Sequence, residues 1–288
     1  MIKMGAEVIY GSELAKNMRK EIKQQTSAFI EKGVTPHLTV ILVGEDPASM
    51  SYVGGKEKAC KETGIESEII RLPNSTTEAE LLQHIDRLNT SESVDGILVQ
   101  LPLPDHINEQ HIIESITPEK DVDGFHPINI GRMMTDQKTF YPCTPHGIVK
   151  MLQSKNIEIE GKHAVIIGRS NIVGKPVGQL LLNENATVTY CHSRTKNMKE
   201  LTLQADILVV AVGIPHFVDE SMVRDGAVVI DVGVNRLENG PLVGDVKFDE
   251  VKEKASYITP VPGGVGPMTI TMLLYNTILS AKGRLDRE

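Results

Sequence analysis

Apolar positions along the chain alternate between two periods. From Ser12 to Lys32, Leu14, Met18, Ile22 and Phe29 recur near helical spacing, with Ser12 placed to cap the first turn and Gly33 to end the helix. The next run, Leu38-Thr39-Val40-Ile41-Leu42-Val43, is continuously apolar or β-branched and closes on Gly44, which predicts a parallel strand buried on both faces. A helix is expected from about 47 to 63, a strand over 68–72, a helix over 78–88 and a strand over 96–101. Between 102 and 145 Pro, Gly, Asp and His accumulate and apolar periodicity is brief, as in a connection between domains that carries a working loop. The α/β alternation then resumes: helix to 152, strand 163–168, helix 174–182, strand 187–191, helix 197–204, and strands 206–213 and 227–234. A Pro/Gly loop over 259–267 leads into a last helix ending near Ala281. Strands alternating with helices imply parallel sheets, and no internal repeat interrupts the pattern.

Length and charge narrow the function classes. At 288 residues the chain exceeds a usual domain of about 100–200, so two domains sharing a cleft are expected. Net charge is −8, and no Lys/Arg cluster is dense enough to track a nucleic acid backbone. The three cysteines, Cys60, Cys143 and Cys191, are far apart and odd in number, so each is read as a small buried hydrophobe. The nine histidines show neither HExxH nor a Cys/His pair at ligand spacing, and no metal is expected. No apolar run approaches the roughly 20 residues of a membrane span, and residues 1–11 lack an apolar leader core, so a cytoplasmic protein is expected.

The strand His163-Ala164-Val165-Ile166-Ile167 runs into Gly168-Arg169-Ser170-Asn171-Ile172-Val173-Gly174 and then a helix. A glycine at a strand end permits a sharp turn, a second lets backbone approach a pyrophosphate, and the helix N-terminus offers free N–H groups to the anion. The spacing is not GxGxxG, since five residues separate Gly168 from Gly174, and a glycine-rich turn with no ligand remains the alternative. Where an NAD-binding unit usually places an acidic residue, about 20 positions on, the chain reads Cys191-His192-Ser193-Arg194. With no carboxylate there, Ser193, Arg194 and the earlier Arg169 suit a 2′-phosphate, with Arg169 and Ser193 expected to hold it, so NADP is favoured over NAD. Arg194 reads equally as a solvated surface residue.

Three segments carry reactive groups. Tyr52 and Lys56 stand four apart on a helix and share a face, with the alternative of a surface pair whose stems pack down. Gly54-Gly55 inside that helix costs about 1 kcal/mol per residue, which points to close approach or local movement. Gln100 ends a parallel strand, where open α/β sheets place ligand contacts. In Asp121-Val122-Asp123-Gly124-Phe125-His126-Pro127, Asp121 is read as serving a turn and His126 as a structural hydrogen-bonder.

In order along the chain stand Tyr52-x-x-x-Lys56, Gly96-Ile97-Leu98-Val99-Gln100-Leu101-Pro102-Leu103-Pro104, Asp121-Val122-Asp123-Gly124-Phe125-His126-Pro127, Pro142-Cys143-Thr144-Pro145, Gly168-Arg169-Ser170 and Pro262-Gly263-Gly264-Val265-Gly266-Pro267-Met268-Thr269. Together they resemble the bifunctional methylenetetrahydrofolate dehydrogenase/methenyltetrahydrofolate cyclohydrolase family over essentially the whole chain. The resemblance implies two α/β domains around a cleft: residues 1–140 binding folate, and 141–267 a Rossmann-like, parallel-sheet NADP domain. The final helix, about 268–288, would pack back on the first. It makes Lys56 the catalytic lysine, Tyr52 the ring against the folate, Gln100 the partner of the lysine and Asp123 a hydrogen-bonder of the pterin. Gly168, Arg169, Ser170, Ser193 and Val234 fall on NADP-contacting positions, and Gly264, Gly266 and Thr269 line the cleft near both ligands. Partners implied are tetrahydrofolate one-carbon substrates and a second copy in a homodimer. Two departures are local: Gly54-Gly55 stands where a larger polar residue is frequent, and Val234 where isoleucine is. A dehydrogenase of another small substrate, or a folate-binding module without catalysis, stays open beside this reading.

Overall fold

The computed structural model describes residues 5–237 and 240–286. The chain is a mixed α/β protein of two compact units, one comprising Lys16–Cys143 and Ile270–Glu288, the other Met1–Ala15 and Thr144–Thr269. Among the described residues no helix is long and apolar enough to cross a membrane.

The first unit is built on a three-stranded parallel sheet in the order Glu66–Leu72, His37–Val43, Gly96–Val99. The central strand is the run of β-branched and apolar residues, and every residue from Leu38 to Val43 is buried, which is why that run shows no alternation. Helix Pro47–Thr63 is bounded by local chemistry at both ends. Asp46 accepts the Ser49 amide at 2.8 Å, Pro47 occupies the first turn, and Gly64 closes the helix in the left-handed region at φ 79°. Thr77 and Glu80 form a reciprocal capping box on Glu78–Thr90, whose Leu81, Ile85 and Leu88 face strand residues Ile41, Val43, Ile97 and Val99 in one core. The stretch expected as a connection contains two short helices, Glu109–Ser115 and Pro127–Met134, capped by Asn108 and His126. They are too short for their period to stand out among the Pro and Gly residues around them.

The second unit carries a six-stranded sheet in the order Glu7–Val8, Tyr257–Ile258, Val228–Asp231, Ile207–Val210, His163–Ile167, Thr187–Cys191, with every pairing parallel. The chain leaves His163–Ile167 for the strand on one side, Thr187–Cys191, and next enters the strand on the other, Ile207–Val210. That reversal leaves a crevice beyond the carboxyl ends of the central strands, where open α/β sheets receive ligands. The last helix, Val265–Leu285, extends past the expected end near Ala281. At its end Arg284 donates to the carbonyls of Thr35 and Glu92 and to the Asp95 carboxylate at 3.0 Å.

Candidate active site

Lys56 lies on the buried face of helix Pro47–Thr63 with Val53, Ala59 and Cys60, and only 7% of it is exposed. Its ammonium donates to Gln100 Oε1 at 2.9 Å. Gln100 is the first residue after strand Gly96–Val99, and its Nε2 donates to the Leu101 carbonyl at 2.7 Å. These two bonds fix the amide orientation, because a lysine can only donate and a carbonyl can only accept. The glutamine thus holds the nitrogen without adding charge. One turn earlier, Tyr52 is exposed, with its ring open to a ligand, and burial of part of the ring raises its phenol above the ordinary value. Of the two helix glycines, Gly55 has Ile270 Cδ1 where a Cβ would reach it at 3.2 Å, whereas Gly54 faces open space. Close approach therefore explains the first and not the second.

Burial pushes Lys56 below the lysine range, against the pull of Asp123. The same burial pushes Asp123 up, against the pull of Lys56 and a hydrogen bond with Cys143. Each group is drawn toward its neutral form by desolvation and back toward its charged form by the other. Asp121, by contrast, is consumed by the fold. Its carboxylate accepts the Gly124, Phe125 and His126 amides and Asn129 Nδ2, while burial pushes it up to about 7. His126 Nδ1 accepts the Ile128 amide at 3.0 Å, capping the helix that follows. Both serve the turn, as their sequence context implied.

Cys143 and Asn276 join this cluster without having been singled out for it. The three cysteines are free and buried, as read, but Cys143 also donates to the Val122 carbonyl at 3.3 Å and meets Asp123. Burial holds its thiol well above the usual range, so it is a neutral donor. Asn276 Nδ2 reaches the carbonyls of Val122 at 2.8 Å and Tyr141 at 3.1 Å, pinning the segments on both sides of the Asp123 loop. The run Pro142-Cys143-Thr144-Pro145 is the sequence trace of the first; an asparagine in an apolar helix is the only trace of the second.

In the other unit Gly168 takes φ 128°, and a Cβ there would strike the Ala211 carbonyl oxygen of the neighbouring strand end. A Cβ on Gly174 would strike the Gly168 carbonyl, and one on Gly178 the Tyr190 ring. The three glycines thus fold the turn tightly onto the sheet and onto the next helix. Ser170 Oγ accepts the Val173 and Gly174 amides, both at 3.2 Å, and Arg169 is exposed. Ile167 pairs with Cys191, so Arg169 and Ser193, each two residues on, leave adjacent strand ends on the same edge. Val234, three residues beyond strand Val228–Asp231, is exposed on that edge as well. Gly264 packs on the Pro260 carbonyl, Gly266 faces open space, and the Thr269 and Thr144 hydroxyls bond at 2.8 Å. The sequence-derived residues therefore gather as two sets: Lys56, Gln100 and Asp123 in one unit, and Gly168, Arg169, Ser170, Ser193 and Val234 in the other.

Comparison with known proteins separates the same two sets of residues. Residues 9–123 match the catalytic domain of tetrahydrofolate dehydrogenase/cyclohydrolase, and residues 142–285 its NAD(P)-binding domain. A bifunctional protein FolD of Bacillus anthracis is 65% identical over 279 residues, covering 97% of this chain and 98% of its own length. The crystal structure of the bifunctional enzyme FolD, methylenetetrahydrofolate dehydrogenase/cyclohydrolase, from Campylobacter jejuni is 52% identical, with TM-score 0.95 and coverage of 97% and 99% of the two chains. That of the Trypanosoma brucei enzyme, complexed with NADP cofactor and an inhibitor, is 39% identical, with TM-score 0.94 over 99% of each chain. With both halves matched in order and near-complete coverage, the chain belongs to the tetrahydrofolate dehydrogenase/cyclohydrolase family.

Proposed function

We propose that the protein oxidises 5,10-methylenetetrahydrofolate to 5,10-methenyltetrahydrofolate with NADP and hydrolyses the product to 10-formyltetrahydrofolate. The observation that carries this is the buried Lys56–Gln100 pair facing Asp123, in the unit whose family is a folate catalytic domain. The glycine cradle at Gly168 and Gly174 fits a pyrophosphate, and Arg169 beside Ser193, with no carboxylate at the strand end, fits a 2′-phosphate. Bound there, NADP supplies the oxidised nicotinamide that accepts hydride from the methylene carbon.

The residues divide the remaining work. Nitrogen lone pairs of the folate drive hydride departure, so the protein has mainly to align the reactants, a contribution of about 7–11 kcal/mol in well-ordered cases. Tyr52 offers its ring to the folate, and Asp123 its carboxyl to the pterin. Hydrolysis needs proton transfer. Lys56 in its free-amine form takes one proton as water oxygen adds to the methenyl carbon. As the carbon–nitrogen bond opens, the ring nitrogen gains a proton and the adduct's hydroxyl loses one to become the formyl carbonyl, so one proton is released overall. Lysine at its ordinary value is charged at neutral pH, and desolvation at this position shifts Lys56 toward the free amine that a base requires. Gly264, Gly266 and Thr269 are taken as ligand-lining positions, and the protein as a homodimer through the cofactor unit, whose sheet ends on strand Thr187–Cys191.

Purified protein mixed with 5,10-methylenetetrahydrofolate and either NADP or NAD tests the reading. Reduction favouring NADP, with methenyl consumed faster than without enzyme, is expected. No reduction with either cofactor would return a dehydrogenase of another substrate, or a non-catalytic folate module, to first place. Light scattering of the same sample checks the dimer.

A further inference from the structure

Two carboxylates outside this chemistry are buried in the cofactor unit. Asp231 is 3% exposed and Asp245 0%. Asp231 Oδ1 accepts the amides of Gly233 at 3.0 Å and Asp245 at 2.9 Å, and its Oδ2 that of Val246 at 3.0 Å. Asp245 Oδ2 accepts the amides of Val212 at 2.7 Å and Gly213 at 2.9 Å, and its Oδ1 the Asn235 side-chain amide at 2.9 Å. All six donors are amides. The backbone closes directly on the two acids: a Cβ on Gly233 would land on the Asp245 carboxylate, and one on Gly244 on that of Asp231.

Placing two adjacent carboxylates in a core is costly, and apolar residues of similar size would serve cohesion at least as well. What the acids achieve is location. Val212 and Gly213 directly follow Ala211, whose carbonyl touches the Gly168 turn. Val234 lies between Gly233, held by Asp231, and Asn235, held by Asp245. The pair therefore ties together the segments that leave the carboxyl ends of strands Ile207–Val210 and Val228–Asp231, beside the glycine cradle.

We propose that Asp245, braced by Asp231, is a positioning residue for the dinucleotide, fixing the Val212-Gly213 turn and the Val234 backbone against which the cofactor lies. The inference rests on the NADP reading above. It predicts a split that general loss of structure would not produce, because hydrolysis of methenyltetrahydrofolate consumes only water and needs no cofactor.

Full-length Asp245→Ala is assayed for the NADP KM of the dehydrogenase and, without cofactor, for methenyltetrahydrofolate hydrolysis. The KM is expected to rise by about tenfold or more, the scale of losing charged hydrogen bonds, with hydrolysis within about twofold of wild type. Asp245→Asn keeps an oxygen for Val212 and Gly213 and turns its NH2 to Asn235, whose own amide can rotate to accept it. That variant should return the KM to within about threefold. A folded Asp245→Ala with unchanged NADP KM overturns the proposal. If that variant loses its circular dichroism and both activities, Asn235→Ala decides: a KM raised about threefold or more with normal hydrolysis supports the proposal, and an unchanged KM overturns it. A wild-type protein that neither binds nor reduces NADP would instead overturn the cofactor reading, and this inference with it.

Discussion

Replacing Lys56 with methionine should separate the two half-reactions. Methionine keeps most of the apolar stem inside helix Pro47–Thr63, but Gln100 Oε1 loses its 2.9 Å donor and Asp123 loses the positive charge acting on it. A positioned general base contributes about 10²–10⁴ in rate, or roughly 2.7–5.4 kcal/mol, and hydrolysis should fall by that factor. Hydride transfer, driven by the folate's own lone pairs, should fall much less, so methenyltetrahydrofolate should accumulate when the variant is given 5,10-methylenetetrahydrofolate and NADP. Absorbance of the methenyl and reduced-nicotinamide species, followed together, reads both. The pH dependence of stability should change as well. Because burial lowers Lys56 below its ordinary 10.5, the unfolded chain binds more protons between the folded value and 10.5. Wild-type stability therefore rises with pH across that window, and below it Lys56 is a net cost. Urea unfolding of Lys56→Met should lack that rise. Hydrolysis at the wild-type rate in a folded Lys56→Met protein would refute the assignment.

Further predictions follow from the same contacts. Gln100→Leu leaves the Lys56 ammonium without its bond at a cost of about 1.5–3 kcal/mol, so hydrolysis should slow by roughly 10- to 150-fold in steady-state assays. Arg169→Ala should lower the preference for NADP over NAD; an unchanged ratio of kcat/KM values would remove Arg169 from the 2′-phosphate site. Arg284→Met leaves the buried Asp95 carboxylate, at 2% side-chain exposure, without its cation, and urea unfolding should show a loss of about 3–5 kcal/mol. Since burial raises Asp95 and Arg284 holds it down, losing Arg284 should raise it further. The folded state then binds the extra proton, so the variant's deficit against wild type should be largest near neutral pH and shrink on acidification.

The elements that proved legible were those with local causes. Helix Pro47–Thr63 and strand Thr187–Cys191 lie where their patterns placed them, because an Asp-Pro start, a terminal glycine and a β-branched run act within a few residues. The short helices Glu109–Ser115 and Pro127–Met134 escaped because a two-turn helix offers too few periodic positions. Strand Glu7–Val8 escaped because its partner, Tyr257–Ile258, is remote in sequence and neither has more than two residues to show a pattern.

By itself, then, the sequence determined the parallel α/β class, the strand–glycine–helix turn at Gly168 and, through motif order, the family; each depends on residue type and spacing along the chain. Only the tertiary structure decided which side chains meet. Lys56 and Gln100 are brought to 2.9 Å by a helix and a strand end, Asn276 reaches the Asp123 loop from the last helix, and Asp231 and Asp245 gather amides from three segments. Nothing local marks such encounters. A buried amide or carboxylate acquires its meaning from the partners that desolvation obliges it to find, and those partners are set by packing of the whole unit.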